Sequence, residues 1–188
     1  MSKWSEFYAP KMNPESRALF KKKYWPYLSE LMLVMTGHKA NTIIEAGCGT
    51  ALVTKFLIES TGHGHHVCLD IDKDVLALAE QNHPETKSRD WTLRHDFWDI
   101  TNPLGLKADL LHSHGVLEHF DDDKIQTIVG NMRETAKVVY AFVPSDKYDY
   151  KSYGDERLMS SEEWKAICSP SEIQEFNDGK DLILKWRN

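Results

Sequence analysis

After residue 40 the apolar positions of this chain alternate between two rhythms. Short strand-like runs occupy 41–46 (NTIIEA), 66–71 (HVCLDI), 90–95, 108–113 (ADLLHS) and 136–143 (AKVVYAFV), the last ended by Pro144. Between them lie stretches with helical spacing. Residues 50–61 (TALVTKFLIEST) align Leu52, Val53, Phe56 and Leu57, 73–81 (KDVLALAEQ) stop before His83-Pro84, and a third helix covers about 122–135. Strands separated by helices of this length imply right-handed βαβ crossovers and a parallel sheet covered on both faces.

The two ends depart from this rhythm. The first forty residues read as helical: Asn13-Pro14-Glu15 is a cap followed by proline at the first helical position, and Pro26 restarts the pattern. A second helix through Leu28, Leu31, Met32 and Met35 stops near Gly37. In the tail, Ser160–Ile167 is a short helix with Ser160 or Ser161 as its cap and Glu162 and Glu163 in its first turn. Strands 171–176 and 181–187 then meet at Asn177-Asp178-Gly179, a hairpin signal. The predicted fold is α/β: a doubly wound, Rossmann-like sheet of seven strands, mostly parallel with an antiparallel C-terminal hairpin, and helices on both faces. A single domain over 1–188 is expected, with a helical lid (1–38), a ligand-binding core (40–145) and a C-terminal helix and hairpin (146–188).

Composition narrows the partners. Apolar residues make up 41% of the 188, enough for a substantial core. The formal net charge is −6, and the one basic cluster, Lys21-Lys22-Lys23, reads as a solvated helix face, so nucleic acid is not an expected partner. Cys48, Cys68 and Cys168 lack CxxC spacing and read as buried free thiols, which suit a reducing cytoplasm. The N-terminus MSKWSEFYAP has no apolar signal core, and no run approaches the ~20 apolar residues of a membrane span. A cytoplasmic, membrane-free protein, monomer or homodimer, is expected.

In a doubly wound sheet the ligand sits beyond the carboxyl ends of the strands, near the switch in strand order. Four strand ends there carry suitable groups. Glu45-Ala46-Gly47-Cys48-Gly49-Thr50-Ala51 follows the first strand, and its glycines allow a sharp turn and close approach of a ligand. Asp70 closes the second strand, where a carboxylate can accept both hydroxyls of a ribose. Asp96 closes the third, followed by Phe97-Trp98, where a carboxylate can accept from an exocyclic amine while a ring covers a purine. The fourth ends in His112-Ser113-His114-Gly115. A nicotinamide-type fingerprint needs a third glycine where this chain has Leu52, so that reading fails where close helix packing is required.

Over about residues 40–145 the sequence resembles a class I S-adenosylmethionine-dependent methyltransferase of the small-molecule type. EAGCGTA matches the family's first motif, VCLDIDKDVLALA the second, RHDFWD the third and ADLLHSHGVLEHF the fourth. The resemblance implies S-adenosylmethionine as cofactor, with S-adenosylhomocysteine as product. It also implies that the loop with Glu45, Gly47, Cys48 and Gly49 lies along the methionine part, Asp70 holds the ribose, and Asp96 and Phe97 meet the adenine. Ile71 would pack on the adenine and His114 stand near the methionine end, with Asp72 a weaker rival to Asp70. The terminal hairpin is also a feature of that family.

Methyl transfer from a sulfonium is an in-line displacement, so the protein mainly aligns the nucleophile and excludes water. A base matters only if the acceptor must lose a proton. His114, Glu118 and His119 are candidates at the rim. His119 is preferred because imidazole titrates near neutrality, with His114 second. Metal dependence is not expected: His63, His65 and His66 read as a solvated turn, the set His112, His114 and His119 lacks a fourth ligand, and GVLEH has Gly115 where a metal-binding ExxEH motif has glutamate. Asp121, Asp122 and Asp123 read as the acidic first turn of a helix. There is no NPPY or DPPY at the fourth strand and no Pro-Cys pair, so a small-molecule O or N acceptor is favoured. Trp4, Phe7, Tyr8, Tyr24 and Trp25 with the stretch Tyr148–Tyr153 form the expected lid. A domain that holds the cofactor without catalysis is the alternative from a different class.

Overall fold

The computed structural model describes residues 2–85 and 87–188. Among them, strands β1 (Thr42–Ala46), β2 (Gly64–Asp70), β3 (Trp91–Phe97), β4 (Ala108–His114), β5 (Ala136–Pro144), β6 (Glu172–Phe176) and β7 (Asp181–Arg187) form one sheet in the order β3-β2-β1-β4-β5-β7-β6. The first five run parallel, and β7 inserts antiparallel between β5 and β6. Strand order reverses between β1 and β4, which opens a crevice at their carboxyl ends. This is the doubly wound sheet with a terminal hairpin that the alternating pattern implies.

Seven α-helices lie among the described residues: α1 (Lys3–Tyr8), α2 (Pro14–Lys23), α3 (Trp25–Gly37), α4 (Leu52–Thr61), α5 (Lys73–Asn82), α6 (Asp122–Thr135) and α7 (Ser161–Cys168). The caps at Asn13 and Ser160 sit where the sequence places them, and Asp121, read as part of an acidic first turn, is instead the cap of α6. Asn13 accepts from Ser16 N–H ahead of Pro14, Asp121 accepts from Lys124 N–H, and Ser160 and Glu163 form a reciprocal capping box.

Strand alternation divides the core. Ile43, Leu110, Tyr140, Phe142 and Ile183 turn to one face, where Tyr27, Leu31 and Met35 of α3 and Val53, Phe56 and Leu57 of α4 cover them. Ile44, Leu111, Val139, Ala141 and Leu184 turn to the other, under Ile125, Ile128 and Met132 of α6 and Trp164 of α7. Each face is sealed by helices, so the open rim of the crevice is where polar side chains remain.

Two local readings need correction. The third strand does not stop at residue 95: β3 continues to Phe97, pairing Asp96 with Leu69 and Phe97 with Asp70. Asp96 is therefore held within the ladder rather than released at its end. The GHGHH segment is not a wholly solvated turn either, because β2 starts at Gly64 and buries His66, whose Nε2 lies 3.1 Å from the His63 carbonyl. Burial lowers the His66 pKa to about 4 and keeps the ring neutral.

Candidate active site

The glycine loop is built by three residues with positive φ. Gly47 (67°), Gly49 (53°) and Ala51 (54°) turn the chain from β1 into α4. A Cβ at Gly47 would come within 2.5 Å of a Val116 methyl, and one at Gly49 within 3.0 Å of the Tyr8 ring. Glycine avoids both the strain of positive φ and the crowding at each position. Glu45, at 2% exposure, turns its carboxylate under the loop and accepts from Thr54 N–H in the first turn of α4 at 3.1 Å. Burial raises its pKa to about 7. Cys48 is buried beneath the loop, and its backbone N–H donates to the Leu69 carbonyl of β2.

Asp70 ties the second strand to this loop. One oxygen accepts from Gly49 N–H at 2.9 Å and the other from Asp72 N–H at 2.9 Å. Burial pushes the Asp70 carboxyl above its ordinary range, partly opposed by these donors. Asp72 is spent elsewhere, capping α5 through the N–H groups of Asp74 and Val75. The far side of the loop is pinned by residues that motif reading missed: Asn82 Nδ2 donates to the Thr50 carbonyl at 2.9 Å, and a His83 ring nitrogen lies 3.0 Å from the Ala51 carbonyl. Both sit at the carboxyl end of α5, just before Pro84. A polar pair ending an amphipathic helix was their sequence signal, but nothing local says which loop they reach.

Three clefts meet above the loop. One of about 480 Å³ is lined by Asp70, Ile71, Trp98, Asp99, Ile100 and Val116. A second, about 760 Å³, runs past Glu45, Gly47, Cys48, Thr50 and His114. A third, about 270 Å³, is an aromatic chamber that includes Trp4, Phe7, Tyr24, Phe142 and Tyr153. Tyr8 of α1 borders all three.

The first cleft suits a nucleoside. Asp70 stands at its floor, Ile71 offers a side chain left 57% exposed, and the remaining walls are largely apolar. Its second carboxylate is Asp99, whose Oδ1 is fixed by the N–H and hydroxyl of Thr101 at 2.9 and 2.8 Å. Asp96 and Phe97 do not line it. The extra length of β3 sets Asp96 beside Arg94, with which it pairs at 2.6 Å, and leaves Phe97 55% exposed under the Lys73 ammonium. Trp98 and Asp99, just past the strand, are the ring and the acid that line the cleft on this side.

The two candidate histidines are held differently. His114 lies among Tyr24, Tyr27 and Phe142, and burial lowers its pKa to about 3. A ring so reluctant to charge is a poor proton acceptor at neutral pH. His119 ends a helical turn at Leu117–His119 and borders both the nucleoside cleft and the aromatic chamber. Its Nδ1 lies 3.0 Å from Asp155 Oδ1, and its ring meets Trp4 edge-on at 5.2 Å. Trp25, expected in the lid, is 48% exposed and lines none of the three clefts. Among the described residues no group of three or more His, Cys, Asp or Glu side chains is arranged to hold a metal.

Comparison with known proteins places this arrangement. Residues 44–138, just over half of the chain, match the family model described as a methyltransferase domain. No curated protein matches the chain in sequence. Solved structures do resemble it in fold. The magnesium protoporphyrin IX methyltransferase ChlM from Synechocystis PCC 6803 with bound SAM aligns at a TM-score of 0.65 and 12% identity, over 98% of this chain and 97% of that one. The methyltransferase domain of bacterial CtHen1-CN gives 0.69 and 14%, over 86% of this chain and 97% of that one. Human N-acetylserotonin methyltransferase in complex with SAM gives 0.66 and 14%, over 97% of this chain and 58% of that one. The chain belongs to the methyltransferase-domain family and has the fold of the class I S-adenosylmethionine-dependent methyltransferases.

Proposed function

We propose that the chain transfers the methyl group of S-adenosylmethionine to a small-molecule O or N acceptor held in the aromatic chamber. The observation that carries this reading is the meeting of the three clefts at Tyr8, whose ring packs against Gly49 of the loop, with a ribose-suited carboxylate on one side and a ring-walled chamber on the other. Asp70 and Asp99 would take the ribose and the exocyclic amine, Ile71 and Trp98 the purine faces, and the loop with Glu45, Gly47, Cys48 and Gly49 the methionine part. When bound, the cofactor supplies an activated methyl group on sulfur. The chain's task is then alignment and exclusion of water.

The roof supports that division of labour. Trp4 and Tyr8 of α1 lie over the junction, with Trp4 against both His119 and Tyr153. His119, gripped by Asp155 and Trp4, acts as a positioning residue that fastens the roof, and His114 as a wall. The solved relatives named above include enzymes of small molecules, a porphyrin and N-acetylserotonin, which is consistent with a small acceptor here. No helix among the described residues is long and apolar enough to cross a membrane.

Isothermal titration with S-adenosylmethionine and S-adenosylhomocysteine tests the cofactor reading, and radiolabelled methyl transfer to a metabolite panel tests turnover. Absence of heat with either ligand overturns the proposal. Tight binding with no transfer to any acceptor leaves a domain that holds the cofactor without catalysis.

A further inference from the structure

One carboxylate in the aromatic chamber has an oxygen with no partner. Glu118 is 1% exposed, and its Oε2 is fully buried without a hydrogen bond among the described residues. The other acids bordering the chamber are satisfied: Glu156 accepts from the N–H and hydroxyl of Ser152 at 2.6 and 2.8 Å, and Asp181 from Tyr148 Oη at 2.7 Å and Asn177 Nδ2 at 2.5 Å. The chamber's lysines also have partners. Lys11 lies over the Phe7 ring, and Lys23 is 4.8 Å from the centroid of Tyr24 and 5.2 Å from that of Tyr148. Glu118 alone among these charged groups is left for something the chain does not supply.

The surroundings say what that is. A buried carboxylate oxygen left without a partner is costly and calls for a cation or a hydrogen-bond donor. The walls around it are ring faces, and ring faces attract ammonium groups; two lysine ammoniums already lie on them. Glu118 sits close enough to the phenols of Tyr8 and Tyr24 for its charge to be felt at both. A body the size of a single ring system matches a chamber of about 270 Å³.

Building on the methyl-transfer reading, we infer that the acceptor is a protonated primary or secondary amine on a ring-sized apolar body, and that Glu118 is its counter-charge and takes its proton. The step balances. The ammonium passes one proton to the Glu118 carboxylate, which frees the nitrogen lone pair. The nitrogen forms a bond to the methyl carbon as the carbon–sulfur bond breaks, and the electron pair of that bond stays on sulfur, leaving a neutral thioether. The product is a methylated ammonium, and the proton on Glu118 passes to solvent as the site opens. Burial raises the Glu118 pKa to about 8, which suits a carboxylate that must accept a proton from an amine. The other charged or titratable groups facing the chamber are Glu156, Asp181, Lys11, Lys23, His114 and His119, together with its tyrosines.

The test uses 2-phenylethylamine as probe, with 2-phenylethanol and 3-phenylpropionate as neutral and anionic counterparts of similar shape. Binding to the full chain is measured by titration calorimetry with and without S-adenosylhomocysteine, and methyl transfer is followed separately. The amine is expected to bind at least tenfold more tightly than either counterpart, increasingly so as pH rises toward about 8. Glu118→Gln is expected to lose at least tenfold in amine affinity and to lose that pH dependence, while Glu118→Asp recovers part of both. Melting temperature and S-adenosylhomocysteine affinity serve as folding controls. The inference is overturned if the alcohol or the acid binds as well as the amine, or if Glu118→Gln binds the amine unchanged. A chain that binds the amine through Glu118 yet ignores S-adenosylhomocysteine overturns the methyl-transfer reading and leaves the chamber's ligand class standing.

Discussion

The imidazole of His114 lies flat on the ring of Phe142, with centroids 4.2 Å apart and planes 10° from parallel. Tyr24 meets the same imidazole edge-on at 4.5 Å, and the Tyr27 hydroxyl, hydrogen bonded to the Ser113 carbonyl at 2.8 Å, ties α3 to the end of β4. His114 is therefore packed as a ring. His114→Phe is expected to keep turnover within a few-fold and to leave the pH–rate profile unshifted, whereas His114→Ala, which opens a void among three rings, is expected to cost on the order of 2 kcal/mol in stability. A pH–rate profile of the first and a denaturant melt of the second check this. Loss of an ionisation from the profile of His114→Phe would restore the ring as a base.

His119 is expected to behave differently, because its partners belong to the roof. Asp155, 80% exposed, anchors Nδ1, and Trp4 packs on the ring. His119→Ala and Asp155→Asn are expected to loosen α1, raising KM for the acceptor about tenfold while kcat falls less. Initial-rate kinetics separate the two constants. A base would show the opposite split, with kcat collapsing at unchanged KM.

The extended third strand makes a sharp contrast between two nearby acids. Asp99→Ala and Asp70→Asn are each expected to weaken S-adenosylhomocysteine binding at least tenfold, about 1.4 kcal/mol. Asp96→Ala removes only a surface ion pair with Arg94, both side chains substantially exposed, and is expected to leave that affinity unchanged. Titration of the three variants decides it. A tenfold loss with Asp96→Ala and none with Asp99→Ala would return the adenine contact to the residue that sequence pattern suggests.

What the sequence could and could not say follows from the range of each signal. Periodicity and caps are local, so the seven strands, the caps at Asn13 and Ser160, and the turn at Asn177-Asp178-Gly179 were legible. The glycine loop was legible because positive φ has a residue signature. A strand end is softer: nothing in RHDFWD marks whether the ladder releases the chain at residue 95 or 97, and two residues exchange one acid for another at the cleft. Contacts across the fold were not readable at all. Asn82 and His83 reach the loop from 32 residues away, and Glu118, one of three rim candidates in the sequence, is set apart from the two histidines only when the rings of α1 and α2 close over it.

Buried ionisable groups give the chain a stability maximum near neutrality. Burial lowers the pKa of His66 and His83 to about 4 and of His112 and His114 to about 3. A histidine with a depressed folded pKa leaves the unfolded chain binding more protons once pH falls below the ordinary value of about 6.5. Stability is thus lost progressively from there toward pH 4. Glu45 and Glu118 act in the opposite direction, since burial raises them to about 7 and about 8. Their ionisation in the unfolded chain begins near pH 4.5, so their cost grows as pH climbs from there through the folded values. The buried histidines outweigh the two glutamates on the acid side, between about pH 7 and 8 the glutamates dominate, and at higher pH the buried cysteines and tyrosines, whose pKa values burial also raises, add to the decline. The melting temperature is expected to peak between about pH 6 and 7, to fall steeply below pH 6 and to decline gently above pH 7. Glu118→Gln, which keeps the shape and removes the buried charge, is expected to flatten the alkaline decline and to raise the melting temperature at pH 8. Thermal melts of both proteins across this range check the sign of each limb, and a melting temperature for Glu118→Gln below wild type at pH 8 would mean that the carboxylate is satisfied within the fold after all.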